Sequence, residues 1–160
     1  FEVTVNPFPE VACPEPMAVC TDTPSFPLDG ATPPGGSYSG VGVAQGLFHP
    51  ELAGSGVHTI TYLYADTLGC SAACSFPIEV IALPELACPD PLTICTDTAP
   101  LALSGAQPEG GTYAGPGVEN GIFDPAEVGP GILLLSYEYS DSDGCNAACT
   151  FEVNVVARHR

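Results

Sequence analysis

The sequence predicts an all-β fold of two tandem antiparallel β-sandwich modules, each cross-linked by disulfide bonds. Three observations predict it: an internal repeat, short stretches of alternating apolar and polar residues between glycines and prolines, and eight cysteines at repeated spacing. The repeat is 75 residues long, and segments 13–82 and 88–157 are identical at 33 of 70 aligned positions without an insertion. The chain is therefore expected to hold two copies of one small domain.

The repeat also sets the predicted domain boundaries. Residues 8–82 form the first repeat, residues 83–157 the second, and residues 158–160 a tail. The segment before them, residues 1–7, contains Phe1–Val5, which matches Phe76–Val80 and is therefore expected to form one additional strand. This strand belongs to a preceding repeat, or it is donated to a neighbouring subunit through the apolar side chains Phe1, Val3 and Val5.

Each module is predicted to begin with short strands. In the first copy they are expected around Met17–Cys20, Ser25–Leu28, Gly36–Tyr38 and Gly46–Phe48, separated by turns rich in glycine and proline. No segment shows the periodicity of a helix.

Two longer strands, Val57–Tyr64 and Cys70–Val80, are predicted to close each module as a hairpin around the turn 66–69. In the second of them, alternation places Phe76, Ile78 and Val80 on one face, so that face is expected to be buried. Pro77 lies on the other face and predicts an edge position, because proline cannot donate to the sheet. Six or seven strands per module indicate an immunoglobulin-like sandwich.

The composition excludes several classes of partner. Two basic residues stand against 19 acidic ones, and the net charge of −17 predicts repulsion from nucleic acid and from anionic lipid. No apolar run approaches the roughly 18 residues of a membrane span, so no membrane insertion is expected.

Several motifs recur in both copies, among them the glycine-rich segment 35–43, which returns as 110–118, and Tyr62-x-Tyr64-x-Asp66 followed by Gly-Cys. They resemble the Ig-like and PKD-like repeats of large Bacteroidota surface proteins, and the resemblance covers essentially the whole chain. Such repeats are typically joined into giant adhesins and gliding-motility filaments. The resemblance implies an extracellular, cell-surface location, a structural or adhesive role in a filament, and neighbouring copies or modules of the same protein as partners.

The cysteines are predicted to form structural disulfides, since Cys-x6-Cys and Cys-x3-Cys spacings do not match zinc knuckles. Four cysteines per module allow three connectivities. The resemblance implies Cys20–Cys70 and Cys95–Cys145, which leaves Cys13–Cys74 and Cys88–Cys149 as the other pairs. A parallel arrangement of the first and last strands would instead favour Cys13–Cys70 with Cys20–Cys74.

No enzyme and no cofactor are expected. His49 and His58 are replaced by Asp124 and Leu133 in the second copy, and the chain contains no nucleophile elbow, metalloprotease motif or phosphate-binding loop. Asp141 and Asp143 are weak candidates for calcium binding, because no bidentate Glu follows the turn glycine at the right distance and the first copy lacks the motif, so a hairpin turn explains it better.

Two further sets of residues are candidates for modification and assembly. Thr67 and Thr98 lie in Asp-Thr-aliphatic triplets that resemble O-glycosylation acceptors of Bacteroidota secreted proteins, and a glycan on either would raise the intact mass above that of the polypeptide. Ile132 and Leu134 place apolar side chains on the outer strand face of the second copy, where the first copy has Val57 and Thr59. This pair predicts a contact between modules or between filament strands, and the alternative is a core that is locally two-sided. The alternative function is a surface carbohydrate-binding module or an accessory domain of a secreted enzyme. The absence of tryptophan and the inward position of most tyrosines argue against it.

Overall fold

A computed structural model describes residues 1–158, which form two compact units. Module 1 is Phe1–Ala82, and module 2 begins at Leu83. Of the predicted tail, Arg158 is described and its guanidinium pairs with the Asp97 carboxylate at 2.6 Å, whereas residues 159 and 160 lie outside the described part.

Module 1 is a sandwich of a four-stranded and a three-stranded sheet. The four-stranded sheet has the order β1-β7-β6-β3 and the three-stranded sheet the order β2-β5-β4. The strands are β1 Met17–Cys20, β2 Phe26–Pro27, β3 Ser37–Ser39, β4 Val43–Ala44, β5 Leu47–Phe48, β6 Gly56–Ala65 and β7 Ser71–Ile81.

Module 2 repeats this architecture, with a four-stranded sheet in the order β10-β13-β14-β8 and a three-stranded sheet in the order β11-β12-β9. Its strands are β8 Leu92–Cys95, β9 Leu101–Ala102, β10 Thr112–Ala114, β11 Val118–Glu119, β12 Ile122–Phe123, β13 Gly131–Ser140 and β14 Asn146–Val156. The predicted fold class, two disulfide-bonded immunoglobulin-like sandwiches, is confirmed.

The core of each module lies between its two sheets. In module 1, Phe48 from the three-stranded sheet packs against inward residues of β6 and β7, of which Ile60 and Ile78 are completely buried. Module 2 places Phe123, Leu135 and Val153 at the same positions. The alternation that predicted the buried face of the last strand is therefore observed in both copies.

Each module also contains one short helix that the sequence did not predict. Helix α1 is Pro50–Ala53 and helix α2 is Pro125–Val128. Both start with a proline, whose fixed φ suits the first turn, and in α2 the Asp124 side chain accepts a hydrogen bond from the Ala126 amide. One turn is too short to show a helical period, so periodicity could not reveal either helix.

The predicted edge position of the strand that carries Pro77 is wrong as stated. Strand β7 lies between β1 and β6 in the sheet. Its parallel partner β1 joins it only from Ile78 onward, so Pro77 still has one open side, where a missing amide proton costs no ladder hydrogen bond. Beyond Pro77 the strand is internal.

The predicted additional strand Phe1–Val5 forms no strand in this chain. Residues 1–10 have no ladder partner, and Phe1, Val3 and Val5 are all exposed. The apolar side of the segment therefore remains uncovered.

Candidate functional site

One disulfide in each module joins the segment before the first strand to the last strand. Cys13 is bonded to Cys74 with their Cα atoms 5.8 Å apart, and Cys88 is bonded to Cys149 with a Cα separation of 5.9 Å. Both pairs match the sequence prediction.

The sheet explains why these pairs form. Strands β1 and β7 run parallel, and Met17 lies beside Ile78, an offset of 61 residues. The disulfide joins residues with the same separation of 61. Cys13 and Cys74 therefore lie in the register of this ladder, four residues before its first pair. Module 2 has the same offset in the pair Leu92 and Val153.

The other predicted pairs, Cys20–Cys70 and Cys95–Cys145, are not formed. Cys70 and Cys95 are free cysteines. The register places Cys20 beside Ile81, whereas Cys70 precedes the other end of the same strand. The 11 residues from Cys70 to Ile81 span roughly 36 Å at ~3.3 Å per residue, far beyond the Cα separation that a disulfide can bridge.

The alternative pairing, Cys13–Cys70 with Cys20–Cys74, is not formed either. The first and last strands are indeed parallel, but the parallel register places Cys13 opposite Cys74 and leaves Cys70 four residues outside it. Cys20 and Cys145 are both disulfide-bonded. No local sequence signal sets the offset between β1 and β7, so sequence reasoning could not identify which cysteines stay reduced.

The carboxylates of the hairpin turns form turn structure. The Asp141 side chain accepts hydrogen bonds from the amides of Asp143 and Cys145, at 3.0 and 2.9 Å. In the first copy, Asp66 accepts from Leu68 and Cys70 in the same way, both at 2.9 Å. Within residues 1–158 there is no cluster of three or more His, Cys, Asp or Glu side chains of the kind that holds a metal.

The outer face of β13 carries the apolar side chains that the sequence singled out. Ile132 and Leu134 are each 66% exposed. Their partners across the ladder, Asn154 and Glu152, are polar, so the two side chains form a small apolar patch with a polar border. The equivalent positions in module 1 are Val57, which is equally exposed, and the polar Thr59, so two adjacent apolar side chains on this face occur in module 2 alone.

The remaining candidates are on the surface. Thr67 and Thr98 are exposed, Thr67 in the hairpin turn and Thr98 in the turn after β8. His58 is hydrogen-bonded through Nε2 to the Gly54 carbonyl at 2.8 Å. The surface groove that contains His49 is lined by segments 21–25 and 49–52, which include no Phe, Tyr or Trp. In the described part of the chain neither helix has the length or apolarity to cross a bilayer.

No protein-family model and no curated protein matches the chain. Among solved structures, a protocadherin gamma-B7 cis-dimer of extracellular domains 3–6 is 16% identical with a TM-score of 0.33, over 90% of this chain and 46% of that chain. The insect immune protein hemolin is 12% identical with a TM-score of 0.33, over 93% of this chain and 46% of that one. A protocadherin gamma-B2 fragment of extracellular domains 1–5 has 16% identity and a TM-score of 0.28, over 88% of this chain and 38% of that chain.

The chain spans less than half the length of each of these structures. At TM-scores this low, the likeness adds nothing to the assignment of fold or function. The assignment of two immunoglobulin-like sandwiches rests on the strand order, the register and the two cores described above.

Proposed function

We propose that this chain is a structural and adhesive segment of an extracellular filament at the cell surface, in which modules of this type join head to tail. The observation that carries the proposal is the repeat itself: one sequence unit folds twice into the same disulfide-bonded sandwich. Tandem modules with their own cores extend a molecule in length without requiring any new chemistry.

The disulfide bonds and the net charge support the proposed extracellular location. Disulfides form and persist in oxidising compartments, which favours the outside of the cell over the cytosol. A surface with a net charge of −17 keeps nucleic acid and anionic membranes away and keeps the free chain soluble.

Two exposed apolar features support another module of this type as the partner. The segment Phe1–Val5 has the same apolar alternation as Phe76–Val80 of β7, the strand between β6 and β1, so the surface that fits it best is another module of this type. The patch formed by Ile132 and Leu134 offers a second contact. We infer that no catalytic step, cofactor or calcium ion is required for this role.

The test is assembly of the purified chain, followed by electron microscopy. Filaments with a regular repeat that matches one or two modules are expected. Leu134→Asp places a charge in the apolar patch and should reduce the amount of filament at least severalfold while the module stays folded.

Thr59→Asp is the matched control, because it adds the same charge at the equivalent exposed position of module 1. Equal filament yield from wild type and Leu134→Asp would remove the patch from the assembly contact. A chain that stays monomeric and binds glycans would favour the carbohydrate-binding alternative instead.

A further inference from the structure

Two of the eight cysteines are reduced in a protein whose other six are disulfide-bonded. Cys70 is partly buried and Cys95 is exposed. One lies in each module, so neither has a free partner in its own sandwich.

The two thiols occupy different positions in the sandwich. Cys70 lies at the turn end of the last hairpin, where its amide donates to the Asp66 carboxylate at 2.9 Å. Cys95 is the last residue of β8 and lies beside Val156, the last residue of β14. These positions are at opposite ends of the last strand, about 36 Å apart in any one module at ~3.3 Å per residue.

The repeat provides independent evidence about these positions. The residue equivalent to Cys70 is Cys145, and the residue equivalent to Cys95 is Cys20. Both equivalents are disulfide-bonded. Each kind of position is therefore compatible with a disulfide in this fold, although a turn-end cysteine cannot reach the strand-end cysteine of the same module.

We propose that Cys70 of one chain forms a disulfide with Cys95 of a second copy, so that copies are covalently joined head to tail. The proposal rests on the filament role above and supplies the linkage for it. A bond between two different positions leaves one Cys70 and one Cys95 unused on every product, so the chain of copies can grow without limit. Symmetric Cys95–Cys95 bonds would stop at dimers joined through that position.

The bond forms by thiol–disulfide exchange with a disulfide donor, either a small-molecule disulfide or the disulfide of an oxidoreductase. The exposed Cys95 thiol loses its proton, and its sulfur attacks the donor to give a mixed disulfide and one donor thiol. The Cys70 thiolate of the second copy then attacks the Cys95 sulfur and displaces the second donor thiol. Two protein thiols are oxidised to one disulfide and the donor disulfide is reduced to two thiols.

A covalent link also holds copies together against their electrostatic repulsion. Copies that each carry a net charge of −17 repel one another, which weakens any assembly held by a small apolar patch alone. A disulfide keeps copies together irrespective of that repulsion.

The experiment incubates the purified chain in a buffer of oxidised and reduced glutathione and follows products by non-reducing electrophoresis. A ladder of dimers, trimers and higher species is expected, which collapses to monomer on reduction, and peptide mapping should identify a Cys70–Cys95 cross-link. Chains with either Cys70→Ser or Cys95→Ser alone should form no ladder. An equimolar mixture of the two variants, one carrying a mass tag, should form a heterodimer through the remaining Cys95 of one and Cys70 of the other.

Monomer that retains two titratable thiols, or symmetric dimers alone, would overturn the proposal. The double variant Cys70→Ser with Cys95→Ser separates this inference from the proposed function. Filaments of normal length from the double variant would show that the thiol link is not used while the filament role stands. A covalent ladder without filaments in the wild type would support the link and count against the filament.

Discussion

At the scale of single residues, one tyrosine in each module anchors a loop to the sheet. The Tyr62 hydroxyl donates to the Pro33 carbonyl at 2.5 Å and accepts from the Gly36 amide at 2.7 Å, while its ring is 2% exposed. A side chain at Gly36 would collide with the Tyr62 ring and with the Leu63 carbonyl, so glycine is required there by close approach. Tyr137 makes the same contacts with Pro108 and Gly111 in module 2.

Tyr62→Phe is expected to destabilise module 1, because a partly buried carbonyl and amide lose their shared partner. The expected cost is about 1–3 kcal/mol. Hydrogen exchange read by mass spectrometry should report faster exchange around Gly36 and in β6, with β13 of module 2 unchanged.

Tyr64→Phe is the control, since the Tyr64 ring is only half-buried and its hydroxyl makes no hydrogen bond within residues 1–158. Unaltered exchange in Tyr62→Phe, or an equal effect of Tyr64→Phe, would contradict the anchoring role. The sequence identified Tyr62 as an inward residue from strand alternation, but its loop partners lie 26 and 29 residues away, which no local pattern reveals.

At the scale of secondary-structure elements, the parallel pairing of the first and last strands organises each module. This pairing fixes an offset of 61 residues and thereby selects Cys13–Cys74 and Cys88–Cys149. Sequence reasoning reached these two pairs only as the remainder of a pairing that the structure lacks. These two pairs form because of the register between the parallel first and last strands of each module.

Replacing Cys13 and Cys74 together by alanine is expected to lower the free energy of unfolding of module 1 by about 4 kcal/mol, because the cross-link closes a long loop in the unfolded chain. Urea unfolding followed by hydrogen exchange in β7 and β14 should assign the loss to module 1.

The matched variant, Cys88→Ala with Cys149→Ala, should produce the same loss in module 2 and leave module 1 intact. A loss of equal size in both modules from either double variant would mean that the two sandwiches do not unfold as separate units.

At the scale of the whole molecule, the dominant property is the large negative net charge. With 19 acidic and two basic residues, copies of the chain repel one another at low ionic strength. Repulsion between exposed charges weakens as the screening length falls from about 30 Å at 0.01 M salt to about 8 Å at 0.15 M.

Assembly is therefore expected to be at least severalfold faster at 0.15 M than at 0.01 M sodium chloride, as measured by light scattering and by growth of the covalent ladder. Leu134→Asp adds one further negative charge, so any residual assembly of this variant should depend on salt at least as steeply. Assembly that slows as salt increases would indicate that opposite charges, rather than apolar or covalent contacts, join the copies.

The sequence by itself determined the repeat, the all-β class, the inward face of the long strands and the disulfide chemistry. These features depend on neighbours a few residues apart, as in the alternation of Phe76, Ile78 and Val80. Only the tertiary structure decided that β7 is enclosed on both sides beyond Pro77, that Phe1–Val5 finds no ladder partner here, and that Cys70 and Cys95 remain reduced. The physical reason is that the register between strands some 60 residues apart is set by how two sheets pack around Phe48 and Ile78, and not by any pattern within one strand.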